Sequence, residues 1–128
     1  MENMEIAPTR RTPRISFDCG KNLLEIRGKS YPSNVSECYG PVFSWLKEYL
    51  GQLGDKQCTV NIELVYFNSS SSKILLDFFL MLEETVNKGG NIAVNWIYDE
   101  DDEDNMEYGE EFQEDLESLP FNLLGKKS

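Results

Sequence analysis

The chain has 128 residues, enough for one domain whose core needs no disulfide or metal staple. It contains no histidine, which removes the commonest general base and zinc ligand and excludes Ser-His-Asp, Cys-His and His-Glu-x-x-His chemistries. The formal charge of −11 is concentrated: twelve acidic residues and no Lys or Arg lie between Asp99 and Glu117, the remainder is near +1, and both nucleic acid and anionic membrane are disfavoured as partners.

Cys19, Cys38 and Cys58 are odd in number and widely spaced, the pattern of reduced, buried thiols. No charged segment followed by an apolar run opens the chain, and no apolar run reaches membrane-spanning length, so a cytoplasmic protein is expected. The length suits four or five strands and three helices. Residues 1–11 lack periodicity and read as a flexible or partly docked arm, 12–124 as a single domain and 125–128 as a tail.

Short alternating runs at 14–18 and 23–29 flank Cys19-Gly20-Lys21-Asn22 and predict a β-hairpin. Asn34 and Glu37 stand in capping-box spacing, and Val35, Tyr39, Val42, Phe43, Leu46, Leu50 and Leu53 recur at helical spacing. Gly40-Pro41 should either kink the first turn of this helix or restart it.

Residues 57–67 alternate at period two, with Cys58, Val60, Ile62, Leu64 and Tyr66 on one face, and predict a strand. A helix over 69–88 follows, ended by Gly89-Gly90, and a parallel strand over 91–98 is joined to the first by a crossover. Asp99 to Asp104 reads as a solvated loop, because an EF-hand would need glycine where Asp104 stands. Met106 to Glu117 predicts an acidic helix with Tyr108, Phe112 and Leu116 inward, and 120–124 an edge strand or docked tail.

The chemistry concentrates at Asn68-Ser69-Ser70-Ser71-Ser72-Lys73, where four consecutive hydroxyls open a helix. One of these residues suffices as N-cap, and the others then fill a tight turn. Free N–H groups and the positive end of the helix dipole also suit a phosphate, covalently attached or carried by a small ligand. Ile74, Leu75, Phe78, Phe79 and Leu82 form the core stripe; Ser71 points the same way, whereas Ser69, Lys73, Leu76 and Leu80 lie on the opposite side. That side is either a docking ridge or is covered by another element.

Hairpin, helix, strand, hydroxyl-capped helix, strand, helix is the order found in STAS domains of the anti-sigma-factor-antagonist type. Closer still, the segments TPRISFD, GKSYPSN, YFNSSSSK, WIYDEDDED, EYGEEFQEDL and PF, in that order, resemble the SiaC family of bacterial regulatory phosphoproteins over residues 12–121. The resemblance implies a STAS-like α/β domain, with an N-terminal β-hairpin, then alternating helices and strands in a mixed four- to five-stranded sheet with three helices. It implies a protein that is not an enzyme and needs no cofactor or metal. A protein kinase would phosphorylate it, a PP2C-type phosphatase would reverse this, and the unmodified form would bind and activate a diguanylate cyclase in c-di-GMP signalling. The acceptor in that family is the hydroxyl after the asparagine, commonly threonine. It falls on Ser69, with Ser70 as the second candidate, and the partner-binding set becomes Asn68, Ser69, Lys73, Leu76 and Leu80. The alternative is a small phosphoryl-ligand binder using the serine-rich helix N-terminus.

Overall fold

Period-two alternation builds the sheet. On the longest strand Cys58, Val60, Ile62 and Leu64 are buried, while Thr59, Asn61 and Glu63 between them face the other way. The computed structural model describes residues 1–127; Ser128, the last residue of the expected tail, lies outside the described residues. In chain order the elements are β1 (Met4–Ile6), β2 (Arg14–Asp18), β3 (Leu23–Ser30), α1 (Val35–Leu53), β4 (Gln57–Phe67), α2 (Ser69–Asn87), β5 (Asn91–Asp99), α3 (Glu103–Asp115) and β6 (Phe121–Lys126).

The six strands lie side by side in the order β1-β2-β3-β4-β5-β6. The first three pair antiparallel, and β3 to β6 pair parallel. Each parallel step needs a crossover, and right-handed crossovers taken in one direction put α1, α2 and α3 on the same face. Trp96, Tyr39, Tyr49, Phe17, Phe78 and Phe79 fill the layer between sheet and helices.

Among the described residues the opposite face carries no helix, and its side chains satisfy one another. Glu5, Ser16, Glu25, Asn61, Asn95 and Asn122 stand in register across the strands. Asn122 donates to Asn95 at 3.2 Å, Asn95 to Asn61 at 2.9 Å and Asn61 to Glu25 at 3.1 Å. Arg27 bridges Glu25 and Glu63, which also pairs with Lys126.

The sheet exceeds the expected four to five strands because the N-terminal arm joins it, beside the edge strand anticipated near the C-terminus. Met4–Ile6 of the arm pairs with Ile15–Phe17 as an edge strand too short to show alternation. Phe121–Lys126 pairs with β5 and closes the other edge. Helix α1 is neither interrupted nor restarted at Pro41. It runs from Asn34, whose Oδ1 accepts from Glu37 N at 3.0 Å. Pro41 and Glu37 are both exposed, so the carbonyl that loses its donor faces water. Helix α3 starts inside the acidic run expected to be loop, because Asp102 Oδ1 accepts from Asn105 N at 3.1 Å and caps it. Glu103 and Asp104 then occupy the first turn, where the helix dipole favours carboxylates.

Candidate functional site

The junction from β4 to α2 is shaped by a bulge. Gly28 pairs with Leu64 and Lys29 with Tyr66, leaving Val65 as the extra residue on β4. An extra residue inverts the alternation beyond it. Tyr66 therefore does not continue the buried face of Cys58 to Leu64 as the sequence predicts; it is 53% exposed, and Phe67 turns inward instead. The Phe67 ring meets Trp96 edge-on at 5.7 Å and Tyr108 at 5.2 Å.

The five polar residues that follow divide the work. Asn68 is the N-cap, accepting from Ser71 N at 2.9 Å, and its own N–H donates to Ser30 O at 3.1 Å. Ser71 is wholly buried, with its hydroxyl 2.8 Å from that of Ser30, which lies 2.6 Å from the Tyr39 hydroxyl. Burial pushes the Tyr39 phenol up to about 12, against the opposing hydrogen bond with Ser30. Ser69 and Ser70 are left exposed in the first turn, and Ser72 is half-buried. Asn68 is thus the cap, and Ser69 and Ser70 leave their hydroxyls exposed at the helix tip.

Ser69, Ser72, Lys73 and Leu76 line one wall of a groove of about 320 Å³, and Tyr108, Glu111, Phe112 and Asp115 of α3 line the other. Each set has i, i+3, i+4, i+7 spacing, one stripe of a helix. Buried Asn105 fixes the start of the second wall: its Nδ2 donates to Leu64 O at 3.0 Å, and its carbonyl accepts from Trp96 Nε1 at 3.0 Å. Beyond the end of α3, Ser118 N and Leu119 N donate to Glu83 of α2 at 2.8 and 3.0 Å. Gly109 sits against Trp96, so close that a Cβ there would lie 2.5 Å from Trp96 Cδ1.

Of the residues singled out by sequence, Ser69, Lys73 and Leu76 meet in the groove, Asn68 supports them as cap, and Leu80 lies outside it. Leu80 is 43% exposed, but Leu76 is half-buried against the core, so the expected ridge of two leucines is only partly open. Tyr108, expected inward, is 47% exposed and lines the rim. Glu111, Asp115 and Asn105 were not anticipated; the spacing of Tyr108, Glu111, Phe112 and Asp115 was the available signal. A larger hollow of about 600 Å³ lies between the arm and the start of α1, lined in part by Arg10, Arg11, Asn34 and Cys38, and none of the switch candidates reaches it. Among the described residues no helix is long and apolar enough to cross a membrane.

The site is thus an exposed hydroxyl on a capped helix tip, beside a groove in a two-layer α/β domain. The chain belongs to the SiaC family of regulatory phosphoproteins, whose profile matches residues 6–126. It is 36% identical over 123 residues to an uncharacterised protein of Pseudomonas aeruginosa strain UCBPP-PA14, covering 96% of each chain. The fold is similar to the crystal structure of apo-SiaC from Pseudomonas aeruginosa, with a TM-score of 0.89 at 34% identity, covering 97% of this chain and 99% of that one. It is equally similar to a chain in the structure of the diguanylate cyclase SiaD in complex with its activator SiaC from the same organism, with a TM-score of 0.90 at 34% identity, covering 96% and 99%.

Proposed function

We propose that this chain is a phosphorylation-controlled protein-binding regulator, and not an enzyme, whose unmodified form binds and activates a diguanylate cyclase. Ser69 is the switch, phosphorylated by a protein kinase and released by a PP2C-type phosphatase. Asn68, Lys73, Leu76 and Leu80 belong to the docking face. The protein acts in the cytoplasm, and the order of strand, hydroxyl-capped helix and strand supports grouping its fold with STAS-type domains.

The observation that carries the proposal is that Ser69 alone of the four serines is both exposed and at the head of the groove. Support for the partner comes from the similar complex of a diguanylate cyclase with its activator. A phosphoserine carries about −1.5 to −2 charge at pH 7, which the N-terminus of α2 tolerates. A partner that must desolvate the same surface does not. The alternative, a site for a free phosphoryl ligand, is disfavoured by Glu111 and Asp115, which put two carboxylates in the groove against one lysine.

Calorimetry with the host's diguanylate cyclase tests the proposal. Ser69→Ala should bind like wild type and resist the kinase, and Ser69→Asp or the phosphoprotein should bind at least about tenfold more weakly. Equal affinity of phosphoprotein and unmodified protein would remove Ser69 from the role of switch.

A further inference from the structure

We propose that Lys73 of α2 and Glu111 and Asp115 of α3 form the charge set that converts phosphorylation of Ser69 into loss of partner binding; this rests on Ser69 being the acceptor. Among the described residues Lys73 is the sole cation lining the groove, and it stands one turn beyond Ser69 on the same stripe. Across from it, Glu111 and Asp115 project from the C-terminal half of α3, where the helix dipole disfavours carboxylates. Among the described residues none of these three makes an ion pair within the fold, so each is available to answer a new charge.

In the unmodified protein Lys73 offsets part of the charge of the two carboxylates, and the groove is one unit negative. A partner can then cover it at modest electrostatic cost. A phosphate on Ser69 changes this in two ways at once. It is within reach of Lys73 at i+4 and draws that cation toward itself. Glu111 and Asp115 are left facing a dianion without their counter-charge, and the groove moves to about three units negative. A partner must then desolvate several anions together, and that cost grows steeply as water is excluded. The groups facing the phosphate are thus Ser72 and Lys73 on its own helix and Tyr108, Glu111 and Asp115 on the neighbouring one.

Protein carrying phosphoserine at position 69, installed during translation, makes the test independent of any kinase. The second ionisation of the phosphate is followed by phosphorus NMR in the phosphoserine protein and in its Lys73→Gln and Glu111→Gln/Asp115→Asn derivatives, with thermal melts confirming that each is folded. Losing Lys73 should move the titration up and losing the carboxylates should move it down, each by roughly half a unit. The Glu111→Gln/Asp115→Asn derivative should also regain about tenfold in affinity for the host's diguanylate cyclase relative to the phosphoserine parent. Coincident titration curves, or no regained affinity, would overturn the charge set while leaving Ser69 as the switch. If the phosphoserine parent bound as tightly as unmodified protein, Ser69 would not be the switch, and the charge set would fall with it.

Discussion

Ser71 shares a buried 2.8 Å hydrogen bond with Ser30, while Ser69, two residues earlier on the same helix, stands in solvent. Two residues along a helix is a rotation of about 200°, so anchoring Ser71 inward forces Ser69 outward. The Ser30 carbonyl adds a second anchor by accepting from Asn68 N. The direction in which the first turn presents its hydroxyl is therefore fixed by β3, the strand before α1.

Replacing Ser71 should separate the two roles. Ser71→Ala leaves Ser30 with Tyr39 as partner and should cost about 1 kcal/mol. Ser71→Asp buries a carboxylate among hydroxyls in the core and should cost about 3 kcal/mol or more. Urea denaturation measures both. A Ser71→Asp protein as stable as wild type would show that the turn opens readily.

The same cluster sets an alkaline limit. The Tyr39 phenol, raised by burial to about 12, stays protonated in the folded chain after the unfolded chain has begun to ionise near its ordinary value of 10. Its contribution is complete below pH 10 and is lost as pH rises toward 12. Stability of wild type should fall across that window, and Tyr39→Phe should flatten the fall. On the acid side, burial opposes ionisation of Glu25, but hydrogen bonds from Arg27 and Asn61 and the charges of Arg27 and Arg14 outweigh it and hold the carboxyl below its ordinary 4.5. That contribution is present above pH 4.5 and is lost as pH falls below it, so Glu25→Gln should lower stability at neutral pH and lessen the decline in acid.

Much of this architecture was legible because its elements bury one face. The strands at 57–67 and 91–99 and the helix opening at Ser69 follow directly from period two giving way to period 3.6. What was not legible depends on partners distant in sequence. The arm's strand exists because β2 offers it an edge, and the outward turn of Tyr66 exists because Gly28 and Lys29 fall out of step with β4. At the site, Ser69, Lys73 and Leu76 were readable from one helical wheel. The wall supplied by α3 was not, since a wheel shows which residues share a stripe but not which helix that stripe will face.

Leu76 and Leu80 should respond differently to removal. Leu80→Ser is expected within about 0.5 kcal/mol of wild type, as for an ordinary surface position. Leu76→Ser should cost about 1–2 kcal/mol, less than the roughly 2–5 kcal/mol of a fully buried leucine. If Leu80 belongs to the docking face, its loss should weaken cyclase binding at unchanged melting temperature. Unchanged binding would confine the face to the groove.

Gly109 offers the sharpest test of how the groove is held. With no side chain, it lets α3 settle onto the indole of Trp96, which itself donates to the Asn105 carbonyl one turn earlier at 3.0 Å. A methyl group at 109 would meet Trp96 Cδ1 at 2.5 Å and Leu123 Cδ2 at 2.8 Å, both closer than atoms can sit. The helix has only two ways out: to displace the indole, or to lift off it and take Tyr108, Glu111 and Asp115 away from Ser69. Gly109→Ala would otherwise gain helix propensity of about 1 kcal/mol, so a net loss of about 1–3 kcal/mol is the signature of overpacking. Trp96 emission should shift to the red as the indole gains water, while Trp45, on α1 outside the groove lining and donating to Glu2 O at 2.8 Å, reports another part of the fold. Single-tryptophan variants separate the two signals. If Gly109→Ala proved as stable as wild type with unchanged Trp96 emission, the close seat of α3 on β5 would be wrong, and the groove beside Ser69 would have a different second wall.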